Sequence, residues 1–180
     1  MATFPLDFVR DPEIHEMLSW SDPKVSLDFS KYSNGYYSLA VHLKSSEEID
    51  DELLQEILDF VANKLKEYFG DLVEIRTRIC SKRQYSDHYH GIIDFDLEIP
   101  DEYMEEVFGV FATLIRQFEL DIDIKMEEDD SFSSFITFRV EEEEVDKIME
   151  TVRYLEECGV LEIEDIYPPH LGLFHVLVRI

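Results

Sequence analysis

Ile93, Phe95, Leu97 and Ile99 alternate without a break with Asp94, Asp96 and Glu98. Successive side chains of a strand point to opposite faces, so a period of two buries one face and wets the other. The same period recurs along the chain. Val25, Leu27 and Phe29 alternate with Ser26 and Asp28, Asn34-Gly35 supplies a turn, and Leu39, Val41 and Leu43 alternate with Ala40 and His42. That pattern predicts a β-hairpin. Val73, Ile75 and Ile79, alternating with Glu74, Arg76 and Arg78, predict a second hairpin with the 93–99 segment. Ile122, Ile124 and Met126 form a strand that turns over Glu127 to Ser131 and returns through Ile136, Phe138 and Val140. Leu161 and Ile163, then Leu171 to Ile180, complete the strands.

Between these segments the apolar spacing changes to that of helices. Asp11-Pro12-Glu13 reads as a helix start, with Asp as cap and Pro in the first turn, followed by Ile14, Met17 and Leu18 and ending near Trp20. Ser46 opens the longest helix, whose Ile49, Leu53, Ile57, Phe60, Val61, Leu65 and Phe69 lie on one side up to Gly70. Tyr103, Val107, Val110, Phe111, Leu114 and Phe118 predict a second long helix. Val145, Ile148, Met149, Val152 and Leu155 predict a third, closed at Gly159.

The segments YYSLAVHLKSSEEID, GIIDFDLEIPDEYME and SSFITFRVEEEEVDK share one device, an alternating strand running into an acidic helix start. The expected fold class is therefore α+β, an antiparallel sheet with helices on one face. The order of elements from Tyr36 to Met126, and again from Gly91 to Ile166, reads βαββαβ and resembles overlapping ferredoxin-like repeats in topology. One domain spanning 1–180 is expected, with a helical extension at 1–22, a first unit at 24–126 and a second at 91–180 that shares elements with it. No Ser/Gly-rich or Pro-rich linker interrupts the chain.

Charge narrows the functional classes. The chain has 16 Lys+Arg against 42 Asp+Glu, a formal net charge of −26. A phosphate backbone is bound through clustered basic groups, so direct nucleic-acid binding is not expected. Acidic clusters stand at Glu47, Glu48, Asp50, Asp51 and Glu52, at Asp101, Glu102, Glu105 and Glu106, at Glu127, Glu128, Asp129 and Asp130, and at Glu141, Glu142, Glu143 and Glu144. Three of the four open helices, where carboxylates meet the positive end of the macrodipole. One or two groups per helix would suffice, and the excess points to a basic protein partner or to imitation of a phosphate track. The alternation also sets Arg76, Arg78, Asp94, Asp96, Asp121, Asp123, Lys125, Arg139, Glu162 and Glu164 on the wet face of the sheet. A hairpin centred on Ser86 places Arg76 opposite Asp96 and Arg78 opposite Asp94.

Catalytic signatures are absent from the sequence: it has no G-x-S-x-G, H-E-x-x-H, P-loop or C-x-x-C. Asp87, His88 and His90 are the one local group of metal-ligand types, with Cys80 across the same hairpin, and no fourth ligand is suitably spaced for a closed zinc site. No metal or other cofactor is therefore expected, and Lys82 and Arg83 mark this loop as the most basic spot on the chain. Cys80 and Cys158 fall in different elements, which favours reduced thiols. Asp7, Arg10, Asp11 and Glu13 break the apolar run near the start, so neither signal peptide nor membrane span is expected, and a cytoplasmic location is. The leading expectation is a non-enzymatic acidic protein that inhibits a nucleic-acid-handling protein through its basic surface, with Tyr103 or Phe132 as anchors. The alternatives are a small acidic chaperone for a basic client, as a monomer or a dimer, and a metal-dependent enzyme.

Overall fold

The computed structural model describes residues 6–126 and 132–180, apart from the side chains of Leu6, Thr77, Arg78, Ile79 and Phe132. A broken helix, α1 (Leu6–Arg10) and α2 (Pro12–Leu18), leads into a hairpin of β1 (Lys24–Lys31) and β2 (Tyr37–Ser45). The long α3 (Asp51–Phe69) follows, then a hairpin of β3 (Glu74–Gln84) and β4 (Tyr89–Glu98). The chain then runs through the same series again. A second broken helix, α4 (Met104–Phe108) and α5 (Ala112–Gln117), precedes a hairpin of β5 (Leu120–Met126) and β6 (Phe132–Arg139). After α6 (Val145–Glu157) comes a hairpin of β7 (Glu162–His170) and β8 (Leu173–Arg179).

All strand pairs are antiparallel, and the eight strands form one sheet in the order β3-β4-β2-β1-β5-β6-β8-β7. The α+β class is as expected, but the ferredoxin-like order is not found. That order would set β5 beside β2, whereas β1 occupies the space between them, pairing with β2 along one edge and β5 along the other. The repeating unit is αββαββ, present twice, rather than a strand–helix–strand unit present three times.

Register makes the duplication quantitative. One offset in sequence carries Phe29 to Ile124 and Leu39 to Ser134, and these residues pair within their own halves as Phe29 with Leu39 and Ile124 with Ser134. Phe29 also pairs with Ile124, so a pseudo-twofold axis passes through the β1–β5 seam. Each half carries an irregularity at the matching place in its outer strand, between Thr77 and Ile79 in β3 and between Ile163 and Asp165 in β7. The first displaces Arg78 from the expected pairing. Arg76 does face Asp96, but the partner of Asp94 is Ile79. A bulge inserts one residue and shifts every later pair.

The buried sides of the strands and the inner sides of the helices form one core. Phe95, Leu39, Phe29, Ile124, Ser134 and Val178 make one row across six strands, all buried. Burial of each large apolar side chain contributes about 1.5–3 kcal/mol. Ser134 sits where the first half has Leu39, is fully buried, and its hydroxyl has no partner among the described residues. Alanine there removes an unpaired polar group at small cost in volume. Ser134→Ala should raise stability by about 1 kcal/mol in urea unfolding, and a loss of stability would show that the hydroxyl is satisfied.

The helix breaks have different causes. Asp11 accepts from Glu13 N (3.0 Å) and Ile14 N (3.2 Å), with Pro12 in the first turn, so it caps α2 as expected. The single long helix expected over 103–118 is broken at Gly109, whose φ of 51° lies in the left-handed region that favours glycine. Ser46 does not cap α3. Asp50 stands at that cap, and Ser46 donates to Asp22. Lys64 of α3 ties the first broken helix down, its ammonium 3.1 Å from both Asp11 and Glu13, while Tyr68 donates to Asp11 at 2.9 Å. These hydrogen bonds hold the Lys64 pKa well above the usual lysine value against the effect of burial. Lys64→Met should cost about 3 kcal/mol in urea unfolding, because it leaves the buried Asp11 without its cation. An effect under about 0.5 kcal/mol would mean that Tyr68 and the cap bonds hold Asp11 unaided.

Candidate functional site on the open face of the sheet

The helices and core cover one side of the sheet, and the other side carries most of the polar members of the alternating pairs, with Ala40 and Phe135 among the exceptions. Two rows cross its middle. One runs Asp94, Ala40, Asp28 and Lys125, and the next runs Arg76, Asp96, Ser38, Ser30, Asp123 and Phe135. Asp28, Asp94, Asp96 and Asp123 therefore surround a floor of Ser30, Ser38 and Ala40. Asp28 and Asp123 are pseudo-twofold equivalents beside the axis. The Asp123 carboxyl reaches solvent, yet its pKa is raised above the usual carboxylate value, first by desolvation and then by Asp28.

Asp28 is the end of a hydrogen-bonded chain. His42 Nε2 lies 3.1 Å from its carboxylate and His42 Nδ1 lies 3.3 Å from His90 Nε2, with the two rings stacked at 5.4 Å. The bond to Asp28 raises the pKa of His42, whereas burial, followed by the charge of His42, lowers that of His90. A protonated His42 donating both ways to Asp28 and to a neutral His90 satisfies the geometry and both shifts. Ser26 is the cross-strand partner of His42, but both ring nitrogens are already engaged, so no nucleophile–base pair forms there. His88 Nδ1 meets Asp87 at 2.7 Å, and its ring stacks on Tyr85 at 4.7 Å.

The residues expected to act together fall into separate groups. Asp94, Asp96, Asp121 and Asp123 share the open face, where Tyr36 donates to Asp96 and Arg139 pairs with Asp121 at 3.0 Å. Glu47, Glu48 and Asp51 stand at the end of the sheet where β2 runs into α3, with Asp51 2.8 Å from Lys82. Asp101 and Glu102 lie at the opposite end, where Asp101, Glu119 and Asp121 face the buried Lys31. Burial lowers the pKa of Lys31 more than these carboxylates raise it, and its ammonium donates to Leu120 O at 3.1 Å. Glu105 pairs with Arg116 at 2.6 Å, and Glu141, Glu142 and Glu143 are exposed ahead of α6. Glu127, Glu128, Asp129 and Asp130 lie outside the described residues.

Among the metal candidates, Asp87 and His88 bind each other while His90 turns to His42, and no three His, Cys, Asp or Glu among the described residues are placed to hold an ion. Cys80 and Cys158 are free and exposed. Among the described residues no helix is long and apolar enough to cross a membrane.

Sequence reasoning missed the pairing of Asp28 with His42, because the two are diagonal neighbours that become adjacent only once β1 and β2 are in register. It also missed an aromatic group on the second half of the face. Phe135 stacks on His175 at 5.2 Å and meets Tyr167 edge-on at 5.9 Å, whereas Phe174 is buried in the core. No protein-family model, curated protein or solved structure matches this chain.

The ionised form of His42 bonds to Asp28 in the folded state, so this bond contributes stability that is fully present below the unfolded histidine pKa of about 6.5 and is lost as pH rises through the higher folded value. Ring-proton NMR should show His42 titrating above about 6.5, with Asp28→Asn moving its midpoint down. A midpoint that Asp28→Asn leaves in place would separate the two groups in solution.

Proposed function

We propose that this protein acts by binding rather than by chemistry, as an acidic interaction protein whose open sheet face receives a basic surface of a partner. Its most concrete form is an inhibitor or antagonist of a nucleic-acid-handling protein, whose own basic surface suits a chain of net charge −26. The observation that carries this reading is the ring of Asp28, Asp94, Asp96 and Asp123 around the small floor of Ser30, Ser38 and Ala40. Long lysine or arginine side chains can descend onto such a floor and meet carboxylates from several strands. Asp94 and Asp123 take part in no ion pair among the described residues, so an incoming guanidinium has no internal bond to break there.

Association would begin with long-range steering toward the negative surface, which speeds encounter and weakens with salt. Phe135 is next to Asp123 in the same row, with Tyr167 against it, and the two are 38% and 39% exposed. They suit the anchoring part better than Tyr103, which packs against the core.

A fluorescent peptide of about ten arginines serves as the test partner, and two charge-matched variants separate a site from a general field. Asp94→Asn with Asp123→Asn should weaken binding fivefold or more at physiological salt. Glu150→Gln with Glu157→Gln, which removes equal charge from α6, should change it less than twofold. Equal losses from the two variants, or an affinity indifferent to salt, would rule out a docking face at the centre of the sheet.

A further inference from the structure

One end of the same face has the opposite character. Arg83, His90, Lys44 and Lys24 are direct register partners across β3, β4, β2 and β1. Four adjacent strands thus present a basic side chain at one level, a span of about 14 Å at the usual strand spacing. Lys24 and Lys44 are like charges directly opposite each other, an arrangement that destabilises a sheet. In a chain with only 16 Lys and Arg, such a row needs a compensating gain.

Pairing within the protein does not supply that gain. Lys64, Arg76, Lys82, Arg116, Arg139 and Arg179 are all in ion pairs. Lys24, Lys44, Arg83 and the neighbouring Lys125 are in none among the described residues. Two carboxylates stand close by, and each is engaged by a histidine, Asp28 by His42 and Asp87 by His88. Lys24, Lys44, Lys125, His42, His88 and His90 line one open cavity of about 710 Å³, and Leu18 and Met126 contribute apolar wall. The volume is within the range of small-molecule sites.

We propose that this cavity binds a small ligand carrying two or more linked phosphate groups, with the phosphates along Lys24, Lys44 and His90 and Lys125 closing the opposite side. The length of the row favours an oligophosphate over a single phosphate. The cavity also has room for an organic body against Leu18 and Met126. The cavity shares Asp28 with the carboxylate ring, where His42 engages that carboxylate, but Lys24, Lys44, His90 and Lys125 lie outside the ring and Asp94, Asp96 and Asp123 lie outside the cavity, so either site can fail without the other.

The test is a titration of the full chain with tripolyphosphate, pyrophosphate and orthophosphate, followed by NMR of the histidine rings. His42, His88 and His90 should shift saturably, most tightly with tripolyphosphate and least with orthophosphate, while His175 on the other half of the face stays still. Lys24→Ala with Lys44→Ala should weaken binding at least tenfold, and Lys147→Ala on α6 should leave it unchanged. If the double variant does not fold, Lys125→Gln alone should weaken binding threefold or more. Shifts that do not saturate, that include His175 equally, or that survive the lysine substitutions would overturn the site.

Discussion

Five backbone pairs between β1 and β5, from Leu27 with Met126 to Lys31 with Ile122, join the two halves of this protein into one sheet. Each half alone would be a four-stranded sheet with an unpaired inner edge, and such an edge offers its backbone groups to any passing strand. The seam satisfies both edges at once. It also lets Phe29 and Ile124 carry the apolar row from one half into the other, so that the core is a single cluster. Beside the same axis, on the wet side, the seam brings Asp28 and Asp123 together. Core continuity and the centre of the carboxylate ring therefore have one cause.

Strict symmetry ends at the helices. In the first half the broken helix is held to α3 by Lys64, Asp11, Glu13 and Tyr68, a polar network in which Lys64 and Asp11 are buried and Glu13 is exposed. In the second half the corresponding break is made by the backbone of Gly109, and the nearby ion pair, Arg116 with Glu105, lies in solvent. An exposed pair of this kind contributes little, whereas removing one partner of a buried pair is costly. The two halves thus reach one architecture through different interactions.

The strands and hairpins were legible because a period of two has one physical meaning when one face is buried, and Ile93 to Ile99 or Leu39 to Leu43 satisfy it without exception. The helices were legible for the same reason at their own period. Strand order was not, since the apolar pattern of β1 is equally compatible with an edge and with the centre. Counting three equivalent helices instead of two followed from the same limit. The helical stripe from Tyr103 to Phe118 resembles those of α3 and α6, and only register shows that it introduces the second half as α1 and α2 introduce the first. The candidate site was legible residue by residue, as Asp94, Asp96, Asp121 and Asp123 on the wet face. Its arrangement depended on neighbours that sequence spacing does not specify, as the displacement of Arg78 by a bulge and the diagonal contact of His42 with Asp28 both show.

Divergence between equivalent positions explains why a symmetric sheet can present an asymmetric surface. The offsets that superpose the halves carry Ala40 to Phe135, His42 to Thr137, Lys44 to Arg139 and Asp94 to Leu177. In the first half these positions hold a histidine of the hydrogen-bonded chain, a carboxylate of the ring and Lys44, which is in no ion pair among the described residues. In the second they hold an aromatic and aliphatic patch, with Arg139 already paired to Asp121. The two aspartates beside the axis keep the same side chain in both halves. A partner lying across the seam would therefore meet carboxylates at the centre, cations and imidazoles to one side, and rings to the other. Those three chemistries in a fixed order define one binding orientation, which a duplicated surface that had kept its symmetry would leave twofold ambiguous.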